Sequence, residues 1–140
     1  MSTKNKKAAR KPIERKWHLI DASSENLGRL TSKVASLLRG KGKVSFTPHI
    51  DGGDFVVFIN TDKLKFSRGK DEKKIYYHYS GYPGGMKAIT LRDQIVKDSR
   101  KVIKMAVYRM LPKNKTRDVV IKRLKLFKDD VHPFADKFKK

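Results

Sequence analysis

The sequence predicts an α/β domain built in three layers, α/β/α, around a small, mainly parallel sheet of about four strands, behind a disordered basic N-terminal extension. Three observations predict it. Apolar segments at residues 17–22 and 55–59 flank a stretch of helical periodicity, and strand, helix, strand is a βαβ unit with parallel strands. The second segment, Phe55-Val56-Val57-Phe58-Ile59, is apolar at every position, as suits a strand covered on both faces. A chain of 140 residues with 38% hydrophobic content can bury one core but not two. The expected division is an extension over residues 1–16 and one domain over 17–140.

The extension carries Lys4, Lys6, Lys7, Arg10, Lys11, Arg15 and Lys16 against Glu14 alone. Like charges so closely spaced repel, and too few apolar residues are present to fold around, so disorder in isolation and ordering on nucleic acid are expected. The same stretch is basic like the start of a signal peptide but lacks the apolar run that must follow, since Trp17-His18-Leu19-Ile20 meets Asp21.

Residues 17–22 read as a short buried strand. Ser23, Ser24 and Asn26 offer caps for a helix over about 27–38, where Leu27, Leu30, Val34, Leu37 and Leu38 share one face and Arg29 and Lys33 another. Gly40 and Gly42 stop that helix in the loop Arg39-Gly40-Lys41-Gly42-Lys43. A turn at Asp51-Gly52-Gly53-Asp54 leads into the strand at 55–59. Residues 63–79 read as short strands around a turn at Arg68-Gly69-Lys70, ending in Ile75-Tyr76-Tyr77-His78-Tyr79, and the loop 80–85 is too rich in Gly and Pro for regular structure. Thr90 with Asp93 three residues on opens a helix to about Lys97. Ser99 starts another, with Val102, Ile103, Ala106, Val107 and Met110 inward and Pro112 beyond its end. Residues 116–123 read as a last short helix and 124–127 as a last strand.

Charge narrows the function. Thirty-five Lys and Arg against 14 Asp and Glu give a formal net charge of +21. Such an excess destabilises a compact chain by self-repulsion until a polyanion neutralises it. No run approaches the roughly 18 apolar residues of a membrane span, and the best helices spend their apolar faces on the core rather than on a lipid surface. The absence of Cys excludes disulfides and thiolate chemistry and suits a cytoplasmic location. No helix-turn-helix, zinc finger or basic zipper is visible, and cations spread over a tail, loops and both ends suit folded RNA better than a DNA groove.

Enzymatic motifs are absent on inspection. Gly40-Lys41-Gly42-Lys43 lacks the spacing and the following Ser or Thr of a phosphate-binding loop, and it follows a helix instead of a strand. Asp51 and Asp54 are the one tempting carboxylate pair, yet Asp beside Gly is ordinary turn chemistry. His18, His49, His78 and His132 stand singly, without the spacing of a metal site. No Ser or Thr occupies a nucleophile elbow. No cofactor, metal or small-molecule substrate is expected.

The candidate RNA contacts recur in every segment. They are Lys6, Lys7, Arg10 and Lys11 in the extension; Arg29; Arg39, Lys41 and Lys43 in the Gly-Lys loop; and His49. Arg68, Lys70, Lys73 and Lys74 precede the aromatic cluster Tyr76, Tyr77, His78, Tyr79 and Tyr82, and Lys87 follows it. Aromatic faces stack on bases while cations hold phosphates; the alternative for Tyr76 and Tyr79 is packing against the sheet. Arg109, Lys113, Lys115, Arg117, Lys122 and Arg123, with Lys125, continue the theme near the C-terminal end, on a segment of nearly one sign.

Residues in this order also carry a resemblance. Trp17 with Asp21-Ala22, Leu27-Gly28-Arg29-Leu30, Leu38-Arg39-Gly40-Lys41, Thr47-Pro48-His49, Gly53-Asp54, Tyr76-Tyr77-His78, Gly84-Gly85 and Met110-Leu111-Pro112 resemble the bacterial-type large-subunit ribosomal protein L-thirteen family, from about Trp17 to His132. The resemblance implies an α/β/α fold, no enzymatic activity, contact with large-subunit (23S-type) rRNA beside neighbouring large-subunit ribosomal proteins, and an early role in subunit assembly. It marks Arg29, Arg39, Lys41, His49, His78, Lys87 and Lys113 as leading RNA contacts. Arg109 departs from the Gly usual in the family, Arg117 lies near a usual Gly or Ser, and the residues after His132 depart from the usual ending. The other reading of the same chemistry is an RNA-binding translational regulator acting off the ribosome.

Overall fold

The computed structural model describes residues 13–67 and 69–138. Lys6, Lys7, Arg10, Lys11 and Arg68, and the expected disorder of residues 1–12, lie outside the described residues.

Three strands form a parallel sheet in the order β1 (Trp17–Asp21), β2 (Phe55–Ile59), β5 (Leu124–Leu126). The register pairs Trp17 with Phe55 through Asp21 with Ile59, and Val56 with Leu124. The other two strands, β3 (Ile75–Tyr79) and β4 (Met86–Thr90), form a separate antiparallel hairpin. The parallel sheet is thus narrower than the expected four or so strands, and β4 was not visible in the sequence.

Both crossovers step the same way across this order, and right-handed crossovers then put their helices on one face. The core bears this out. Val34 and Leu38 of α1 (Leu27–Arg39) and Val102, Ile103 and Val107 of α3 (Leu91–Met110) join Val56, Phe58 and Leu124 in one cluster. Alternation turns Trp17, Phe55 and Val57 to the opposite face. There the ring of Trp17 stacks on Phe55 at 4.4 Å, and Phe134 and Phe138 of the C-terminal segment approach it at 5.1 and 6.4 Å. On this face the C-terminal segment, with one 3-10 turn at Ala135–Lys137, lies over Trp17. Strand β1, expected to be buried, is half-covered, with Leu19 46% exposed.

Helix α1 forms where its periodicity places it. Its N-cap, Asn26, makes no side-chain capping bond; the Leu27 amide instead donates to the Lys65 carbonyl. Residues 61–74 correct the expectation of short strands: they hold a 3-10 turn at Thr61–Lys63, an isolated bridge from Lys65 to Asn26, and one helical turn, α2 (Lys70–Lys73), entered through Gly69 at φ +59°. Thr90 caps α3 as expected, its Oγ1 accepting from the Asp93 amide at 3.2 Å. The helix is broken at Asp98 (φ −163°, ψ 101°), which keeps the two expected helices as two halves. Ser99, wholly buried, bonds to Thr61 and Asp62 and fixes the break. Met110 is 44% exposed, not inward, and Leu111 takes the buried place. The last helix, α4, spans Arg117–Ile121.

Candidate nucleic-acid interface

The Gly-Lys loop is set by the end of α1. Gly40 adopts φ +74°, a left-handed conformation that costs glycine little. Its amide donates to Leu37, and the Lys41 amide to Ser36, closing the last turn. Here two backbones press together. A Cβ on Gly40 would lie 2.9 Å from the Gly52 carbonyl oxygen, and one on Gly53 would lie 1.7 Å from that of Leu38. The close approach leaves Lys41 and His49 exposed and Arg39 half-buried, its guanidinium 5.8 Å from the centre of the Phe46 ring.

Beneath the loop lies an ion cluster that the sequence did not reveal. Arg123, expected among the RNA contacts, is only 5% exposed. Its guanidinium forks onto both oxygens of Asp51 and donates to the Leu38 carbonyl at 2.8 Å and the Asp54 carbonyl at 3.3 Å. Lys43, also expected to face RNA, turns inward: its Nζ lies 2.5 Å from Asp54 Oδ1 and donates to the Glu14 carbonyl at 2.7 Å. The same carboxylate accepts from the Lys16 amide at 3.0 Å and sits 3.1 Å from His18 Nε2. Arg15 donates to the Asp51 carbonyl, so Arg15 and Lys16, read from sequence as the end of a disordered extension, are fastened to the fold. Asp51 and Asp54 are neither a paired-acid site nor simple turn residues. Burial pulls both carboxyls up, but hydrogen bonds from Arg123 to Asp51 and from Lys43, Lys16 and His18 to Asp54 outweigh it and hold both below their usual range.

The hairpin divides the tyrosines. Tyr76 is buried, whereas Tyr77, Tyr79 and Tyr82 are 63%, 63% and 75% exposed, so Tyr79 does not pack inward. His78 pairs with Lys87 across the hairpin, and both are exposed. Lys70 and Lys73 are exposed on α2. Lys74 Nζ and Arg109 Cζ lie 5.1 and 5.9 Å from the centre of the Tyr76 ring.

Near the C-terminal end, Lys113, Lys115 and Lys122 are exposed. Arg117 is not a free contact. It stacks 3.6 Å from the Tyr108 ring centre and donates twice to the Tyr108 carbonyl. The structure exposes cations outside the sequence-predicted set: Lys65, and Lys101 and Lys104, which border a groove of about 650 Å³ with Tyr108, Arg109 and Arg100, the last paired with Asp98. Their spacing along α3 was the available signal. Among the described residues no group of three or more His, Asp or Glu could hold a metal ion, and no helix is long and apolar enough to cross a membrane.

This arrangement can bind a polyanion. Residues 15–133 match the family model described as Ribosomal protein L13. The protein called Large ribosomal subunit protein uL13 in Thermotoga petrophila is 46% identical over 121 residues, covering 86% of this chain and 81% of that one. Its counterparts in Chloroflexus aggregans and Coxiella burnetii are each 45% identical over 123 residues, 88% of this chain and 86% and 87% of theirs.

Proposed function

This chain belongs to the ribosomal protein L13 family, and on that premise we propose that it binds and organises large-subunit rRNA while the subunit is being assembled. Members of the family are structural proteins of the large ribosomal subunit, not enzymes. The neighbours of the chain are then rRNA and other proteins of that subunit.

One observation carries the proposal: in a chain of net charge +21, key acids are consumed inside while most candidate cations face out. Asp51 and Asp54 are taken up by Arg123, Arg15 and Lys43 within the fold. Arg29, Lys41, Lys70, Lys73, Lys87, Arg109, Lys113, Lys115 and Lys122 remain exposed, with His49 and His78 beside them. Phosphates arrayed along folded RNA would relieve their mutual repulsion, and contacts of this kind position a protein on RNA with little base reading.

Sedimentation of a cell lysate tests the proposal. The chain should travel with the large subunit and with its earliest precursors; recovery only in late particles would remove the assembly role. Recovery wholly outside the large-subunit peak would instead favour a regulator working off the ribosome.

A further inference from the structure

A cleft of about 540 Å³ opens between the start of α1, the segment around α2, and the C-terminal half of α3. Five cations line it: Arg29, Lys65, Lys70, Lys74 and Arg109. No acidic residue does, and among the described residues none of the five side chains forms an ion pair. The remaining wall is mostly apolar, with Leu27, Phe66, Leu91, Ala106 and Met110, and Asn26, Thr31 and Ser67 add uncharged polar groups. At Gly28, on the rim, an added Cβ would meet nothing within 4 Å.

We propose that this cleft receives a single unstacked nucleotide of RNA, its phosphate held between Lys74 and Arg109 and its base laid against the apolar wall around Phe66 and Met110. The inference rests on the RNA-binding reading above and adds a place and a mode to it.

Two independent features point to such a ligand. The first is the pair Lys74 and Arg109. Both lie over one buried ring, that of Tyr76, and both are held where like charges repel. Burial and the nearby Arg109 charge push the Lys74 ammonium below its usual range, a cost that a phosphate between them would offset. The second is the mixture of surfaces. A duplex backbone needs cations alone, whereas a nucleotide turned out of its stack presents a charged phosphate and a flat apolar base. The cleft offers both, and its volume lies within the about 300–1,000 Å³ range of small-ligand sites.

The test uses the full chain and the large-subunit rRNA of its own organism, with three forms of the protein: wild type, Lys74→Gln/Arg109→Gln, and Gly28→Leu, which adds bulk to the lining of the cleft without removing a charge. Base-specific chemical probing should show one or two adjacent nucleotides protected by the wild type and reactive again with Gly28→Leu. The double variant should lose about tenfold or more in affinity and lower the salt slope by about 1 to 2. A Gly28→Leu footprint identical to that of the wild type, with rRNA still bound, overturns the cleft and leaves the RNA-binding function standing. Failure of the wild type itself to bind rRNA overturns both. If the footprint is unchanged but a neighbouring protein is lost from reconstituted subunits, the cleft holds an acidic protein segment and the inference is wrong.

Discussion

Arg123 shows how residue type and residue role separate. In the sequence it sits in a run of cations and reads as one more phosphate contact. In the fold it is a buried fork joining Asp51, 72 residues away, to the end of α1. Removing one partner of a buried pair leaves an uncompensated charge, so Arg123→Ala should cost about 3–5 kcal/mol in urea unfolding. Lys41→Ala, exposed beside it, should leave stability within about 0.5 kcal/mol while weakening rRNA binding; Arg39→Ala should weaken binding likewise. Equal stability of the Arg123 and Lys41 variants would contradict the division between inner and outer cations. Gly53→Ala should destabilise by about 1–3 kcal/mol or more, because its Cβ has no room beside the Leu38 carbonyl. The carboxyls of Asp51 and Asp54 are held below their ordinary value near 3.8 in the folded chain. Their contribution is therefore complete above that pH and is lost as pH falls through the lowered values. Acid unfolding should begin below about pH 4 and shift when Asp54 is changed to Asn; an unchanged acid midpoint would contradict it.

At the scale of elements, legibility followed periodicity. α1 and both halves of α3 could be placed because several apolar residues recur on one face, and Thr90 and Asp93 mark a start that the structure reproduces. Strand β2 was legible because every residue is apolar. β4 was not: Met86-Lys87-Ala88-Ile89-Thr90 has no strong alternation, and its pairing with β3 is fixed by a partner strand. The turn α2 is four residues long and has no buried side chain, so no pattern could announce it. The aromatic cover over Trp17 depends on Phe134 and Phe138 returning from the far end of the chain, a distance no local pattern encodes. Thr90→Ala removes the cap of α3 and should cost about 0.5–2 kcal/mol in thermal or urea unfolding, with the larger loss if the first half of the helix carries the hairpin. A variant as stable as wild type would show that Leu91, whose amide donates to the Lys74 carbonyl, holds the junction unaided.

For the whole molecule, the decisive quantity is charge. A surplus of +21 on 140 residues is plain in the sequence and by itself calls for a polyanionic partner. Which cations serve was not plain, since burial and pairing decide that: Lys43, Arg117 and Arg123 turn to the protein's own groups, while Lys65, Lys101 and Lys104 join the candidates. The most direct test is the affinity of the full chain for its large-subunit rRNA as a function of salt. If about 6–10 phosphates are engaged, affinity should fall about 10³–10⁵-fold between 50 and 200 mM monovalent salt. An affinity that stays flat across that range would contradict the account.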